Sequence, residues 1–431
     1  MRFQFIISRT SLGSLAVAFA TLAIAAPPEV RPTAIVIDDT RVTVAESMQQ
    51  DAALADSCFV DRATGWAVGD RGVIWNTTDA GRTWHQQTSS VACRLCSVCF
   101  VDSQHGWAAG GVFDPYTHGT RGIVLATANG GTTWTQLPQP TLPGIARIKF
   151  FDTRHGIAAG TGTAAEPSGV YATRDGGKSW EPLPADGQGL WLAADFIDAN
   201  SGAVAGPAGQ FAALMRRRVV HGPAAMALTR SYRAMRLVPP ASGWLVGDGG
   251  LVMTTRDLGH SWQTPPGELP PFASEHFDFH AVATIGTQVW IAGSPGTRVF
   301  HSADEGHTWQ TFDTNQPLPI RALAFVDANT GWTVGELGTI LATTDGGHKW
   351  QVQRQGGRRA ALMAVFARDT DVPLEALTKF GAEGGYLAAV EVMHPTDDPL
   401  AAARTADAMK LAGATSAQAA WQFPLAGNDF S

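Results

Sequence analysis

The sequence predicts an all-β chain, a seven-bladed β-propeller followed by a short C-terminal α/β (Rossmann-like) fragment, and three observations carry that reading. A turn pattern Ser/Thr-x-Asp/Asn-x-Gly-x-x-Trp occurs six times, at Thr77 to Trp84, Thr127 to Trp134, Thr173 to Trp180, Thr255 to Trp262, Ser302 to Trp309 and Thr343 to Trp350. A second phrase, Gly-Trp-x-x-Gly and its variants, recurs seven times upstream of where those turns fall. The two share a period of about 40 to 50 residues, the length of four short strands forming one blade.

The turn residues have local reasons to be there. Asp79, Asn129, Asp175, Asp257, Asp304 and Asp345 offer side-chain oxygens to backbone N–H groups within a hairpin loop, and the glycine two residues on tolerates positive φ. The closing Trp84, Trp134, Trp180, Trp262, Trp309 and Trp350 are expected to fold back as apolar plugs. Nothing in this set suits bond-making chemistry, so these residues are expected to be structural.

The second motif sets the blade count. Its closing glycines, Gly69, Gly110, Gly160, Gly206, Gly247, Gly293 and Gly335, are 41, 50, 46, 41, 46 and 42 residues apart. Seven units therefore exist although six carry the turn, the fourth having lost it. Eleven of the fourteen tryptophans belong to one motif or the other and are expected to pack between blades rather than stack a ligand.

These Asp-box (BNR) turns, with the Phe-Val-Asp to Gly-Trp-x-x-Gly phrasing of Phe59 to Gly69, Phe100 to Gly110 and Phe325 to Gly335, resemble the photosystem II stability and assembly factor family over about residues 56 to 355. The resemblance implies an exported, non-enzymatic propeller that holds membrane-protein precursors. Fold-level likeness alone does not carry the photosynthetic role.

The boundaries follow. Residues 1–25 read as a signal peptide: Arg2 and Arg9 precede the apolar stretch Leu15 to Ala25, and Ala23-Ile24-Ala25 offers a small-x-small cleavage site without a cysteine for lipid attachment. Residues 26–55 are an N-terminal extension, 56–355 the propeller, 356–360 a linker and 361–431 the α/β segment. No later run reaches the roughly 20 apolar residues of a membrane helix, so a soluble secreted or periplasmic monomer is expected. A net charge of −7 speaks against a nucleic-acid partner.

Cys58, Cys93, Cys96 and Cys99 then lie in a compartment that permits disulfides, and one or two are expected among the three pairings that four cysteines allow. A metal at Cys93-x-x-Cys96-x-x-Cys99 lacks paired knuckles or spaced histidines. No cofactor is expected.

The segment beyond residue 360 reads as strand Ala361 to Ala367, helix Pro373 to Glu383, strand Tyr386 to Met393 and helix Ala401 to Leu411. It resembles the opening of the N-acetylglucosaminyl de-N-acetylases, whose first strand ends in a zinc-ligating Ala-His-Pro-Asp-Asp-Glu. Here Arg368 stands at the histidine and Thr370 at the base, with Asp371 alone keeping a ligand-type side chain, so no metal is expected. His394-Pro395-Thr396-Asp397-Asp398 follows the second strand and reads as a helix cap.

Three functions are weighed. A sialidase-like glycosidase would need an arginine trio, a Tyr–Glu pair and an acid/base Asp, and the propeller offers only Tyr116, Tyr171 and Tyr232 without the early Arg-Ile-Pro signature. A zinc-dependent de-N-acetylase would need the missing ligands. The favoured reading is a non-catalytic module that binds a protein or peptide, with an acidic partner as the expected chemistry, through Arg94, Arg147, Arg233 and Arg321. These precede the Gly-Trp position of their blades by 12, 9, 10 and 10 residues, so Arg233 and Arg321 correspond closely. Arg216, Arg217, Arg218, Arg230 and Arg236 add positive charge around blade four.

Overall fold

The computed structural model describes residues 49–114, 119–138, 142–222 and 230–356, all within the larger of two compact units, Thr43–Ser431. The expected signal peptide, the arginine and carboxylates of the C-terminal segment, and most of the linker lie outside the described residues. In blade 1 the strands Leu54–Phe59, Gly65–Gly69, Ile74–Thr77 and His85–Gln87 form an antiparallel meander in chain order. Six of the seven sheets repeat that four-stranded order. Blade 5 has three strands, and the isolated antiparallel bridge Thr254↔Gln263 stands where its fourth would be.

The innermost strands are Leu54–Phe59, Arg94–Phe100, Ile145–Phe150, Ala193–Asp198, Tyr232–Val238, Asp278–Ile285 and Ile320–Phe325. Each packs on the innermost strands of both neighbours, and the seventh packs on the first, which closes the ring. The first strand of blade 1 starts at Leu54, which is fully buried and pairs with the closing Gly69. Blade 4 keeps four strands without the Asp-box. Met215 pairs with Arg218 across a two-residue turn, with Arg216 and Arg217 at φ 46° and 65°.

The Asp-box turns close as their chemistry requires. Thr77 Oγ1 donates to Asp79 Oδ1 (2.9 Å) and accepts the Gly81 N–H (2.8 Å), while the Asp79 carboxylate accepts the N–H and hydroxyl of Thr83. The same bonds recur around Asp175, Asp257 and Asp304, and around Asp345, which accepts the Lys349 N–H, while Asn129 accepts the Thr133 N–H and donates its amide to Thr133 Oγ1. Gly81 sits at φ 82°, and a Cβ there would run into Gln353 of blade 7.

The core lies between blades. Trp66 of blade 1 stacks on Phe100 of blade 2 (3.5 Å between ring centroids), Trp107 on Phe150 (3.6 Å), Trp290 on Phe325 (3.8 Å) and Trp332 on Phe59 (3.8 Å). Edge-on against those phenyl rings stand the Asp-box indoles Trp134, Trp180, Trp350 and Trp84. Each stacked indole also donates its Nε1–H to the Asp-box turn of the following blade: Trp66 to Gly130 O, Trp107 to Gly176 O, Trp290 to Gly346 O and Trp332 to Ala80 O. The tryptophan and the turn of consecutive repeats are therefore two halves of one joint. Among the Asp-box tryptophans, Trp134 and Trp350 are buried, while Trp84, Trp180, Trp262 and Trp309 are half-buried.

Candidate functional site: the channel mouth

The innermost strands enclose a channel cavity of about 600 Å³. In six of them one residue near the start drops out of the ladder as a β-bulge: Ala55, Cys96, Ala146, Arg233, His280 and Arg321. Arg233 and Arg321 thus occupy one structural position, as their equal spacing implied. Arg147 lies one residue beyond the bulge of its strand and Arg94 two residues before it.

The four arginines expected to act alike do not. Arg233 donates from Nε and Nη2 to the two oxygens of Asp248 at 2.7 and 2.9 Å, and Arg321 donates twice to Glu336 Oε1 at 2.9 and 2.7 Å. Asp248 and Glu336 each follow directly on a closing glycine, so the acid and the bulge arginine meet at the same end of the blade. Burial works to raise the Asp248 carboxyl, but the hydrogen bonds and charge of Arg233 outweigh it and hold the group below the usual carboxylate range.

Arg94 and Arg147 are differently placed. Arg94 is 58% exposed and its Nε is 3.5 Å from Asp70 Oδ1, a loose surface contact. The Arg147 guanidinium reaches across the channel and donates to three carbonyls, Cys96 O (3.3 Å), Ala146 O (2.9 Å) and Arg233 O (3.4 Å), from blades 2, 3 and 5. Between Arg233 and Arg321, burial and the two guanidinium charges push His280 down to about 3, so it is neutral and adds no positive charge at ordinary pH.

One layer deeper, the residues that pair with the second position of the Gly-Trp motif form a ring: Cys58, Cys99, Lys149, Asp195, Arg236, Ala283 and Ala324. Their acceptors take N–H groups that the inner edge of a sheet would otherwise leave unpaired. Cys58 Sγ accepts Phe100 N–H (3.4 Å), Cys99 Sγ accepts Phe150 N–H (3.3 Å) and Asp195 Oδ2 accepts Leu237 N–H (2.8 Å), each across a blade boundary. Asp195, 4% exposed, also takes the Lys149 ammonium at 2.6 Å.

The disulfide expectation is corrected here, since Cys58, Cys93, Cys96 and Cys99 are all free thiols. Two of them serve instead as inter-blade acceptors, and burial, helped by the nearby Cys99, pushes the Cys58 thiol up to about 12. Burial raises the other three thiols as well. Among the described residues no group of three or more His, Cys, Asp or Glu side chains is placed to hold a metal.

The supposed blade-four basic cluster divides. Arg216 to Arg218 sit at the turn between third and fourth strands, the face opposite the channel mouth, where Arg217 pairs with Glu181 at 3.0 Å. Arg230 bonds Gly249 O on the mouth side, and Arg236 lies in the ring. Blade 2 raises a long hairpin, Gly106–Asp114 with Gly119–Thr127, on the mouth side, and exposes Val112 (38%) and Phe113 (59%) there. The acids Asp248 and Glu336 were missed in the sequence, although their shared place after a closing glycine was a readable signal.

Seven blades, six of them turned by an Asp-box, around a channel lined with charge, define an Asp-box β-propeller. The chain belongs to the photosynthesis system II assembly factor YCF48 family, whose model matches residues 39–207 and 224–322. The photosystem II assembly protein Ycf48 of Thermosynechococcus vestitus is 28% identical over 311 residues, covering 67% of this chain and 81% of that protein. The photosystem II stability/assembly factor HCF136 of Oryza sativa is 28% identical over 129 residues, 28% of this chain, and the match spans only 30% of the rice protein. A solved structure described as YCF48 bound to D1 peptide is 25% identical with a TM-score of 0.55, covering 68% of this chain and 94% of that one. A GH74 xyloglucanase from Xanthomonas campestris, 14% identical with a TM-score of 0.57 over 71% of this chain and 55% of its own, shares the fold alone. Among the described residues no helix is long and apolar enough to cross a membrane.

Proposed function

We propose that this chain is an exported assembly factor that grips an acidic segment or a chain-end carboxylate of a membrane-protein precursor at the channel mouth. The carrying observation is Arg147: its guanidinium spans blades 2, 3 and 5 on carbonyl oxygens, and among the described residues no carboxylate lies within ion-pair distance of it. A planar fork held that way can exchange weak neutral acceptors for a bidentate carboxylate. Arg94, held only by its 3.5 Å contact to Asp70, adds a second cation that can be drawn to the partner. Arg233 and Arg321 then act as the fixed rim, already neutralised within their blades. The similar YCF48 structure, which carries a D1 peptide, supports a peptide as the occupant. Export rests on the reading of residues 1–25.

The test is capture of an immobilised acidic peptide with a free carboxyl end, and of its amidated twin. Arg147→Glu with Arg94→Glu should abolish capture, and Arg→Lys at both should weaken it less. Binding should fall as salt rises, through screening over a Debye length of about 8 Å near physiological ionic strength. Unchanged capture by the double charge-reversal variant would place the interface elsewhere, the blade 2 hairpin being the next surface to probe.

A further inference from the structure

Below the mouth, the ring of Cys58, Cys99, Lys149, Asp195, Arg236, Ala283 and Ala324 has an unbalanced charge. Lys149 and Arg236 share one carboxylate. Asp195 is committed to Lys149 at 2.6 Å and to the Leu237 and Phe196 N–H groups, and it leaves Arg236 Nη1 at 4.0 Å from its Oδ2. Counting the channel as a whole, Arg147, Lys149, Arg236 and Arg321 face Asp56, Asp195 and Glu336, four cations against three carboxylates. Asp56 forms no ion pair with Arg236 and spends its oxygens on Ser57 N–H, the Ser97 hydroxyl and Val98 N–H. His280 is neutral and changes none of this.

The space is there as well. Arg236 is 43% exposed into the channel, and going round the ring from it the next two blades contribute only Ala283 and Ala324 before Cys58 is reached. A guanidinium carries five donors, and the contact to Asp195 uses one of them at a marginal distance. An arginine with unused donors beside two alanines, in a cavity of about 600 Å³, has the form of a receptor for a small planar or tetrahedral oxyanion.

We infer that the channel floor is a binding site for a small oxyanion of the phosphate, sulfate or simple carboxylate class, held by Arg236 in the gap over Ala283 and Ala324. The anion supplies the missing negative charge and fills the side of the ring that the alanines leave empty. This site is separate from peptide docking at the mouth, and it stands or falls independently of that reading.

Calorimetric titration of inorganic phosphate into the full chain in low-salt, anion-poor buffer tests it. One saturable site is expected, with affinity lowered at least about tenfold by Arg236→Gln and partly kept by Arg236→Lys. Arg62→Gln, which removes an exposed arginine paired with Asp327 on the outside of the ring, should leave it unchanged. Phosphate should raise the melting temperature of the wild type more than that of Arg236→Gln. Enlarging Ala324, the half-buried alanine of the pair, with Ala324→Val narrows the gap without touching charge and should also lower affinity, which keeps the test decisive if Arg236→Gln folds poorly. Absence of saturable binding, or equal affinity in Arg236→Gln and wild type, overturns the inference. So does equal weakening by Arg62→Gln, which would mark general charge attraction.

Discussion

The indole of Trp332 lies flat on the phenyl ring of Phe59, 3.8 Å between centroids with an interplanar angle of 8°, and so joins the last blade to the first by the contact that joins neighbours elsewhere in the ring. Trp332 is 1% exposed and its Nε1–H reaches Ala80 O. Trp332→Ala should therefore destabilise by about 3 to 5 kcal/mol, the cost of removing a buried large aromatic. Trp309→Ala should cost less, because that indole is only half-buried and its Nε1 has no partner. Urea unfolding with unchanged slopes gives both values, and equal midpoints for the two variants would contradict the ranking.

Hydrogen bonds to Thr308, backbone first, hold the Asp304 carboxyl at about 2, and bonds from Thr83 do the same for Asp79. A depressed folded-state value means stability that is fully present above the unfolded value near pH 4 and is lost as pH falls toward 2. Acid unfolding should run through that window. Asp304→Asn should fold and blunt its share of the pH dependence, since Asn129 fills the same position in blade 2, accepting Thr133 N–H and donating to Thr133 Oγ1. A pH-stability curve identical to wild type would show that the turn carboxylates do not set it.

Arg321→Glu should destabilise clearly, because it sets a second carboxylate against Glu336, which is only 13% exposed. Adding Glu336→Arg should restore part of the loss. Arg94→Glu should shift the thermal midpoint little, its side chain being 58% exposed. Thermal melts of the three variants decide it, and an unaffected Arg321→Glu would mean that the pair is not formed in solution.

At the blade 4 hairpin, Arg216 adopts φ 46° where Asn or Gly is favoured. Arg216→Asn should raise stability by a few tenths to about 1 kcal/mol, while leaving the Arg217 pair with Glu181 intact. A lower denaturation midpoint would indicate that Arg216 makes compensating contacts.

The blade count, the turn chemistry and the equivalence of Arg233 with Arg321 were legible because each depends on spacing along one repeat. The sulfur acceptors and the crowding at Asp195 were not, since they arise between strands 40 or more residues apart, as Cys58 does with Phe100 and Asp195 with Leu237, whereas the acids Asp248 and Glu336 lie only 15 residues from their arginines within one blade and were overlooked. Cys58 and Cys99 each stand directly before Phe-Val-Asp, one position of the repeat, yet the expected compartment pointed to a disulfide, whereas the inner edge of a sheet needs acceptors. Nor did the Arg216 to Arg218 run disclose that it was a turn replacing the missing Asp-box.

Every blade is made from consecutive strands, so the seam between blades 7 and 1 is shut by side chains rather than by a borrowed strand. Arg354 stacks over Trp75 at 3.8 Å and donates to Gln50 O, while Gln353 donates to Ala80 O, the role Gln87 plays toward Gly130 between blades 1 and 2. A circularly permuted gene that opens the ring at another boundary and joins the old ends would lose no hydrogen-bonded strand pair. By the same logic, such a chain can grow or shrink by duplicating or deleting whole blades.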